Sequence, residues 1–261
     1  MVKEKSMKLL FVGDVVGESG CELLGKQLYK IKNEYGIDIT VVNGENSAKG
    51  NGITPHSAQS LFSMGVDVIT TGNHCFKRKE IMDTYSGNDF LLRPANFPEG
   101  VDGKGVAIID MCPYRIAVVN LIGTLYLDAV DNPFNVVDTI LEEIDTPNII
   151  VDFHAEATSE KKAMGFYLQN RVTAVLGTHT HVQTADETIL GDHTAYITDV
   201  GMTGPELSVL GVDKDIVITK FKKHIPVKFS ESSEKCFINA VVVEFDEKTG
   251  KALDIKRLII R

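Results

Sequence analysis

Short apolar runs recur along this chain and, in its first part, alternate with segments whose apolar residues recur at helical spacing. The first pattern is typical of buried strands and the second of amphipathic helices. We predict strands near 8–12, 38–43, 66–70, 106–111, 114–121, 148–152, 172–176, 194–198, 237–245 and 252–260. We predict helices at about 22–35, 55–64, 136–144 and 213–223, with Pro55 well placed in the first turn of its helix.

The order of these elements predicts an α/β fold with two mixed sheets. The first part reads strand–helix–strand–helix–strand, whereas "GVAIIDMCPYRIAVVNL" and "FINAVVVEFDEKTGKALDIKRLII" read as hairpins that turn at 112–113 and 248–250. Because the topology is mixed, two packed sheets flanked by helices suit the chain better than one doubly wound sheet. No repeat or linker divides the sequence, so we expect a single domain over residues 1–261.

Side chains of the kind that bind metals follow five of the predicted strands. They are Asp14 in "LLFVGD", Glu45 and Asn46 in "VVNGEN", Asn73 and His74 in "VDVITTGNH", His154 in "NIIVDFH", and His179 and His181 in "TAVLGTHTH". One such ending would be an ordinary turn. Because the carboxyl ends of parallel strands lie along one edge of a sheet, five of them together predict one site.

Four of the seven histidines follow strands in this way. Of the others, His56 and His224 lie in helical stretches and His193 lies in the turn-like "GDHT", so we interpret these three as structural or surface residues. On extended backbone, His179 and His181 would project to the same side and address one metal cluster.

The number of candidate ligands predicts two metal ions. A single catalytic zinc needs about three protein ligands, and this chain offers about seven of mixed type, imidazole, carboxylate and amide oxygen. A carboxylate that binds both ions would hold them roughly 3.5–4 Å apart, as in sites of displacement at phosphorus. Glu45 is the candidate bridge, since Gly44, Gly50 and Gly52 permit a tight backbone around it.

Composition fits a soluble enzyme, with 261 residues, 43% of them hydrophobic and 24% charged. No apolar run approaches the ~20 residues of a membrane helix, and "MVKEKSMKLL" lacks the apolar core of a signal peptide, so we expect a cytoplasmic protein. The four scattered cysteines predict reduced thiols. A net charge of −9 argues against a broad nucleic-acid or membrane surface but allows a small phosphorylated ligand at a metal site. The oligomeric state, monomer or homo-oligomer, stays open.

Several motifs carry a family resemblance. In this order along the chain, "GDVVG", "NGEN", "GNH", "FHAEATSEK" and "GTHTHVQTAD" resemble the motifs of the calcineurin-like metallophosphoesterases. "LRPANFPEG" and "YITDVGMTGP" make the chain similar to the YmdB-type bacterial phosphodiesterase subfamily in particular. The resemblance covers residues 7 to 260 and implies a four-layer α/β sandwich with a dimetal centre at the strand ends.

The resemblance also implies roles for individual residues. Asp14, Glu45, Asn46 and His181 would bind one metal ion, and Glu45, Asn73, His154 and His179 would bind the other. His74 would stay free of metal and protonate the departing oxygen while a metal-bound hydroxide attacks phosphorus. The superfamily's usual GDxHG motif has Val16 at its histidine position here, and Glu45 replaces the usual bridging Asp. Because oxygen from Asn46 would fill the gap, we expect iron or manganese rather than zinc.

We therefore expect a metal-dependent phosphodiesterase that hydrolyses nucleotide phosphodiesters. Cyclic nucleotides, 2′,3′ or 3′,5′, are implied by the subfamily resemblance alone. A phosphomonoesterase is the alternative within the enzyme class. A second alternative is a regulatory protein that binds a nucleotide or RNA at the metal site with slow turnover, for which His74 would be dispensable.

Each of four further features allows two interpretations. Cys75 follows His74 and is either a thiolate ligand or a plain buried cysteine. Glu156 either orients a histidine from outside the ligand set or begins a helix. Arg93 either contacts a substrate phosphate through its planar fork or forms a surface salt bridge. "GMTGP", at 201–205, is either a flexible rim of the site or a plain turn.

Overall fold

The computed structural model of the protein describes residues 6–261; residues 1–5, the first part of the stretch in which we expect no signal peptide, lie outside it. The strands are β1 (Ser6–Val12), β2 (Asp14–Val15), β3 (Ile39–Asn43), β4 (Val68–Thr70), β5 (Val106–Asp110), β6 (Arg115–Ile122), β7 (Ile149–His154), β8 (Ala174–Thr178), β9 (Thr188–Leu190), β10 (Thr194–Ile197), β11 (Met202–Pro205), β12 (Cys236–Asp246) and β13 (Ala252–Ile260). The helices are α1 (Gly17–Tyr35), α2 (Pro55–Ser63), α3 (Met82–Gly87), α4 (Pro133–Glu143), α5 (Thr158–Tyr167) and α6 (Lys214–Lys223), and a 3₁₀-helix spans Lys79–Ile81. Within residues 6–261, no helix combines the length and the apolar character needed to cross a lipid bilayer.

The first sheet has seven strands in the order β2-β11-β12-β1-β3-β4, with β13 paired to β12. Strands β1, β3 and β4 are parallel, as the strand–helix–strand pattern predicts. Strand β12 is antiparallel to β1 and forms the predicted hairpin with β13. The last part of the chain therefore completes the sheet that the first part begins.

The second sheet has six strands in the order β5-β6-β7-β8-β10-β9. Its four central strands β6, β7, β8 and β10 are parallel. The edge strands β5 and β9 are antiparallel to their neighbours, and the β5–β6 pair is the predicted hairpin around 112–113. Both sheets are mixed, as predicted.

The two sheets pack face to face, and helices cover their outer faces. Leu9 and Phe11 of β1 belong to the core between the sheets, together with Ile150 of the second sheet. Residues at the alternate positions of β1, such as Leu10, pack against α1 instead. Helices α4 and α5 cover the outer face of the second sheet. Because side chains alternate along each strand, each sheet buries one face against the other sheet and the opposite face against helices. The predicted four-layer sandwich is therefore confirmed.

The elements that we did not predict from the sequence are either very short or bury charged residues. Strands β2, β9 and β11 have two, three and four residues, too few for a periodic pattern. Helix α5 buries the charged residues Glu160 and Lys161 in its first turn, which obscures its apolar periodicity. Strand β11 also corrects the interpretation of "GMTGP": Met202–Pro205 is a buried strand of the first sheet and neither a flexible rim nor a plain turn.

Candidate metal centre

The carboxyl ends of strands from both sheets meet at one end of the sandwich. From the first sheet come Asp14, which begins β2, Glu45 and Asn46, which follow β3, and Asn73 and His74, which follow β4. From the second sheet come His154, the last residue of β7, and His179 and His181, which follow β8. The structure thus brings all the predicted ligands together, as strand-end geometry leads one to expect.

Four of these side chains surround one point. Nε2 of His154 lies 3.1 Å from Oδ1 of Asn73, 3.0 Å from Nδ1 of His179 and 3.4 Å from Oε2 of Glu45. Ligand atoms of Glu45, His154 and His179 all lie within 4.8 Å of one another. These are the four residues that the family resemblance implies as one ligand set.

Of the remaining candidates, Asn46 lies beside the other oxygen of Glu45 and links it to His181 and Asp14. Nδ2 of Asn46 is 2.9 Å from Oε1 of Glu45 and 3.4 Å from Nε2 of His181. The same Nε2 atom lies 3.7 Å from Oδ1 of Asp14. The two oxygens of Glu45 therefore face two different groups of donors.

The donor set fits divalent metal ions. Oδ1 of Asp14 is buried and accepts no hydrogen bond from residues 6–261, and a buried carboxylate oxygen without a partner is costly unless a cation balances it. Imidazole nitrogens and carboxylate oxygens are ligands that transition metals accept. The residues present could therefore hold divalent metal.

The backbone that carries the histidines is not extended. His179 has a φ of 104° and His181 a φ of 64°. Residues 73–76 likewise form a turn, in which Cys75 donates to the carbonyl of Gly72 at 3.1 Å. The expectation that His179 and His181 converge through strand alternation was therefore wrong. Turns beyond the strand ends direct these side chains instead.

Gly72 allows β4 and β7 to approach each other at the site. A Cβ atom at this position would overlap the imidazole ring of His154, because it would lie far closer to Cδ2 than two carbon atoms can approach. The glycine of the "GNH" motif is therefore needed for packing against the imidazole, apart from any role of Asn73 or His74.

Two of the histidines are oriented by partners outside the ligand set. Nε2 of His179 lies 3.0 Å from Oε2 of Glu156. Helix α5 begins at Thr158 with Ala157 at its N-cap, so Glu156 precedes the helix and does not begin it. Its contact with His179 supports the interpretation that Glu156 orients a histidine from outside the ligand set. Nδ1 of His181 lies 3.2 Å from the carbonyl oxygen of Leu210. Such contacts fix which ring nitrogen faces a metal. Nothing in the sequence around 210 predicted the contact between His181 and Leu210.

His154 is held by a buried polar network between the sheets. Its Nδ1 lies 2.9 Å from Oγ1 of Thr178, which donates to Oδ1 of Asp152 at 2.7 Å. The other carboxylate oxygen of Asp152 accepts from Nδ2 of Asn43 at 3.0 Å and from Oγ1 of Thr70. Burial raises the pKa of Asp152 to about 6. The network leaves Nε2 of His154 to face the ligand cluster.

A buried ion pair fixes the turn that carries His179. Nζ of Lys161 lies 2.6 Å from Oδ2 of Asp199, and both side chains are buried. The same carboxylate accepts from the backbone N–H of Thr180 at 2.9 Å and, through Oδ1, from that of Gly201 at 2.8 Å. Because a buried charge needs both a partner and hydrogen bonds, this arrangement restrains the backbone around Thr180.

Electrostatics couples the buried groups of the cluster. Burial raises the pKa of Asp14. Burial and, next in importance, the charge of His154 together lower the pKa of His179 to about 3. Burial would raise the pKa of Glu45, but attraction to His154 and hydrogen bonds with His154 and His74 outweigh it and hold the pKa well below its usual range. Burial lowers the pKa of His154, yet the negative charge of Glu45 reverses this and raises it to about 9.

His74 lies beside the cluster and lines the open cavity. Its Nδ1 is 3.0 Å from Oδ1 of Asn46 and 3.3 Å from Oε1 of Glu45, and its backbone N–H donates to Oε2 of Glu45 at 3.1 Å. Asn46 therefore turns its amide oxygen to His74 and its amide nitrogen to His181. We expected an oxygen ligand at this position, and a half-turn of the amide is needed to provide one.

The cavity has a volume of about 520 Å³. Besides Glu45, Asn46, His74, Glu156, His179 and His181, its wall includes Val16, Lys77, Leu210, Phe229, Ser230 and Glu231. No sequence pattern pointed to Lys77, Phe229 or Glu231, because they lie outside the strand-end motifs. The cavity is large enough for a small organic ligand.

Arg93 and Cys75 lie away from this cavity wall. The guanidinium of Arg93 donates to the carbonyl oxygens of Pro94, Val101 and Asp102, at 2.8, 3.2 and 3.2 Å. The proposed contact of Arg93 with a substrate phosphate was therefore wrong, and the side chain fixes a loop instead. Cys75 is buried in the core beneath α1 and α2, and burial raises the pKa of its thiol, which disfavours a thiolate ligand.

Known proteins are similar to this chain over almost its whole length. A family model described as "YmdB-like protein" matches residues 10–258. A Bacillus subtilis (strain 168) protein named 2′,3′-cyclic-nucleotide 2′-phosphodiesterase is 46% identical over 256 residues, which cover 97% of each chain.

Two solved structures are similar throughout. A hypothetical protein from Thermus thermophilus is 37% identical with a TM-score of 0.91, covering 97% of this chain and 98% of its own. A structure described as a novel phosphatase from Mycoplasma pneumoniae is 34% identical with a TM-score of 0.94, covering 98% of this chain and 94% of its own.

Proposed function

Because this chain belongs to the YmdB-like family, we propose that it is a metal-dependent phosphodiesterase that hydrolyses nucleotide phosphodiesters, with 2′,3′-cyclic nucleotides as the substrate class. One observation carries the proposal. The two oxygens of Glu45 face two groups of metal-ligand side chains, and His74, in contact with Glu45, lines the same cavity.

Two metal ions would occupy the cluster. Glu45, Asn73, His154 and His179 would hold one, while Asp14, Glu45, His181 and, after rotation of its amide, Asn46 would hold the other. Bound ions would supply Lewis acidity toward the phosphoryl oxygens and the attacking water. Iron or manganese suits this set better than zinc, because four of the seven ligands offer oxygen.

His74 would act as the general acid. Its Nδ1 is held between Asn46 and Glu45, and no residue within 6–261 hydrogen-bonds to its Nε2. That nitrogen can donate a proton to the departing ribose oxygen. On a 2′,3′-cyclic substrate, a water oxygen bonds to phosphorus, the P–O2′ bond breaks, and O2′ receives the proton, which leaves a nucleoside 3′-phosphate.

Lys77 would contact the substrate phosphate. It is exposed and supplies the one ammonium or guanidinium group among the residues, all within 6–261, that line the cavity. A flexible ammonium is a common partner of a phosphate oxygen.

A phosphomonoesterase is the second candidate, and the description of the Mycoplasma pneumoniae structure as a phosphatase favours it. Turnover of a diester and of a monoester distinguishes the two candidate activities. Metal-loaded protein should hydrolyse 2′,3′-cyclic AMP, and should cleave bis(p-nitrophenyl) phosphate faster than p-nitrophenyl phosphate. Faster turnover of the monoester would support the phosphomonoesterase, and no turnover of either 2′,3′- or 3′,5′-cyclic AMP would remove the cyclic nucleotides from the proposal.

A further inference from the structure

Part of the cavity wall comes from a segment that carries none of the predicted ligands. We call Phe229, Ser230 and Glu231 the distal wall; they lie between α6 and β12 and line the same cavity as His74 and His179. Phe229 is 46% exposed although it is aromatic, and Nζ of Lys220 lies 4.7 Å from the centre of its ring. An exposed aromatic ring in a cavity is suited to contact a planar ligand group.

Glu231 occupies the amino terminus of α1. Its Oε1 accepts hydrogen bonds from the backbone N–H of Ser19, at 3.3 Å, and from the Ser19 hydroxyl. Val16, the residue at the N-cap, gives no side-chain hydrogen bond of its own. A Cβ atom on Gly17 would overlap Oε2 of Glu231, so the carboxylate lies directly against the first turn.

This contact changes what the helix terminus offers to a ligand. The amino terminus of a 19-residue helix attracts anions. Here a carboxylate of the protein already takes that position, and Gly17 is tied to the metal cluster through its N–H, which donates to the carbonyl of Asn46 at 2.9 Å. A phosphate group that reached the amino terminus of α1 would meet the negative charge of Glu231.

The structure assigns the distal wall to the nucleoside of the substrate: the base contacts Phe229, and Glu231 excludes a second phosphate. This assignment rests on the proposed function, since it places the reacting phosphate at the metal cluster. Lys77 is the one cationic side chain on the part of the wall that the structure describes, so charge is matched for one phosphate group. The preferred substrate is then a nucleoside cyclic phosphate without a 5′-phosphate.

Binding of product analogues tests the role of Glu231 without turnover. Titration calorimetry on manganese-loaded protein should show adenosine 3′-phosphate binding about tenfold more tightly than adenosine 3′,5′-bisphosphate, because like charges repel. Glu231→Gln keeps an oxygen that can accept from Ser19 and should remove most of this preference. Glu234→Gln makes the same change at an exposed residue outside the cavity and should leave the preference intact.

A second pair of variants tests Phe229. Phe229→Ala should raise the KM for 2′,3′-cyclic AMP about fivefold or more, the usual worth of a stacked base. The KM for ribose 2′,3′-cyclic phosphate, which lacks a base, should stay the same. Phe221→Ala removes an exposed aromatic ring from α6 outside the cavity and should change neither KM.

The outcomes separate this inference from the proposed function. If wild type and Glu231→Gln bind the two adenosine phosphates in the same ratio, the assignment of Glu231 is overturned even where hydrolysis is intact. Equal effects of Phe229→Ala on the two cyclic phosphates would overturn the base contact. Intact discrimination in binding without hydrolysis would overturn the proposed function alone, and no binding of either adenosine phosphate would overturn both.

Discussion

Nε2 of His179 lies 3.0 Å from Oε2 of Glu156, on the side of the imidazole away from His154. A carboxylate in this position fixes the ring and leaves Nδ1 free for metal. Glu156→Ala should therefore lower the affinity for metal roughly 10–100-fold, and Glu156→Gln should keep part of it because its amide oxygen can still accept. Competition with a coloured chelator measures both. Glu142→Ala, an exposed residue of α4, is the control, and an equal change in that variant would contradict a specific role for Glu156.

Glu45 should control both metal ions. Protein purified without oxygen should carry close to two transition-metal ions per chain, since six other ligand side chains form two groups around this carboxylate. Glu45→Gln removes the shared charge, so both ions should be lost together. Elemental analysis gives the stoichiometry directly. Selective loss of one ion would show that Glu45 does not bridge.

His74 should matter for chemistry and not for metal. His74→Ala should keep near-normal metal content and lower kcat by roughly 10²–10⁴, the usual effect of losing a proton donor. His154→Ala, His179→Ala and His181→Ala should instead lose metal.

The leaving group sharpens this contrast. Because p-nitrophenolate departs without protonation, the His74→Ala defect should be smaller on bis(p-nitrophenyl) phosphate than on 2′,3′-cyclic AMP. Equal defects on the two substrates, or a variant that arrives without metal, would exclude His74 as the general acid.

Removal of metal should destabilise the whole fold. The ligands come from both sheets, and the buried Oδ1 of Asp14 has no hydrogen-bond partner within residues 6–261. Chelation should lower Tm by on the order of 5–10 °C, as expected when a ligand bound well above its Kd is withdrawn. Scanning calorimetry with and without chelator, followed by manganese addition, checks this. Identical unfolding curves would mean that the cluster holds no metal in the folded protein.

Lys77 should affect binding of the substrate more than turnover. Lys77→Gln removes the one cation of the described cavity wall and should raise KM for 2′,3′-cyclic AMP about tenfold, as for loss of a charged hydrogen bond. Lys79→Gln, two residues further along and outside the cavity, is the matched control. Steady-state kinetics on both variants decides, and the same KM for Lys77→Gln and wild type would place the phosphate elsewhere.

The sequence allowed the prediction of the sheets and of the ligand cluster for one physical reason. Buried strands leave strong apolar signals, and parallel strands bring their carboxyl ends together, so Asp14, Glu45, Asn73, His154 and His179 could be grouped without coordinates. The conformation of the turns was not predictable in this way. The left-handed backbone at His179 and His181 depends on contacts made after folding, such as the hydrogen bond from Thr180 to Asp199.

Residues that complete the cavity were missed because of their distance along the chain. Glu231 meets Ser19 across a separation of 212 residues, and no local pattern encodes such a contact. Leu210 acts through its carbonyl oxygen, so its side chain gives no hint of a role. Arg93 was misinterpreted for the opposite reason: its guanidinium resembles a phosphate ligand in sequence, yet three backbone carbonyls occupy it.

The place of β12 in the first sheet has a consequence for synthesis on the ribosome. β1 pairs with β3 on one side and with β12 on the other, and the backbone N–H of Gly13, just before Asp14, donates to Asn239 of β12 at 3.1 Å. A nascent chain that has not yet released residues 236–246 therefore has an open edge on β1, and such edges invite pairing with other chains. Asp14 lacks the support of this hydrogen bond at Gly13 until that late strand arrives. The enzyme should consequently acquire its metal only after translation is nearly finished, and stalled chains shorter than this should be unable to retain it.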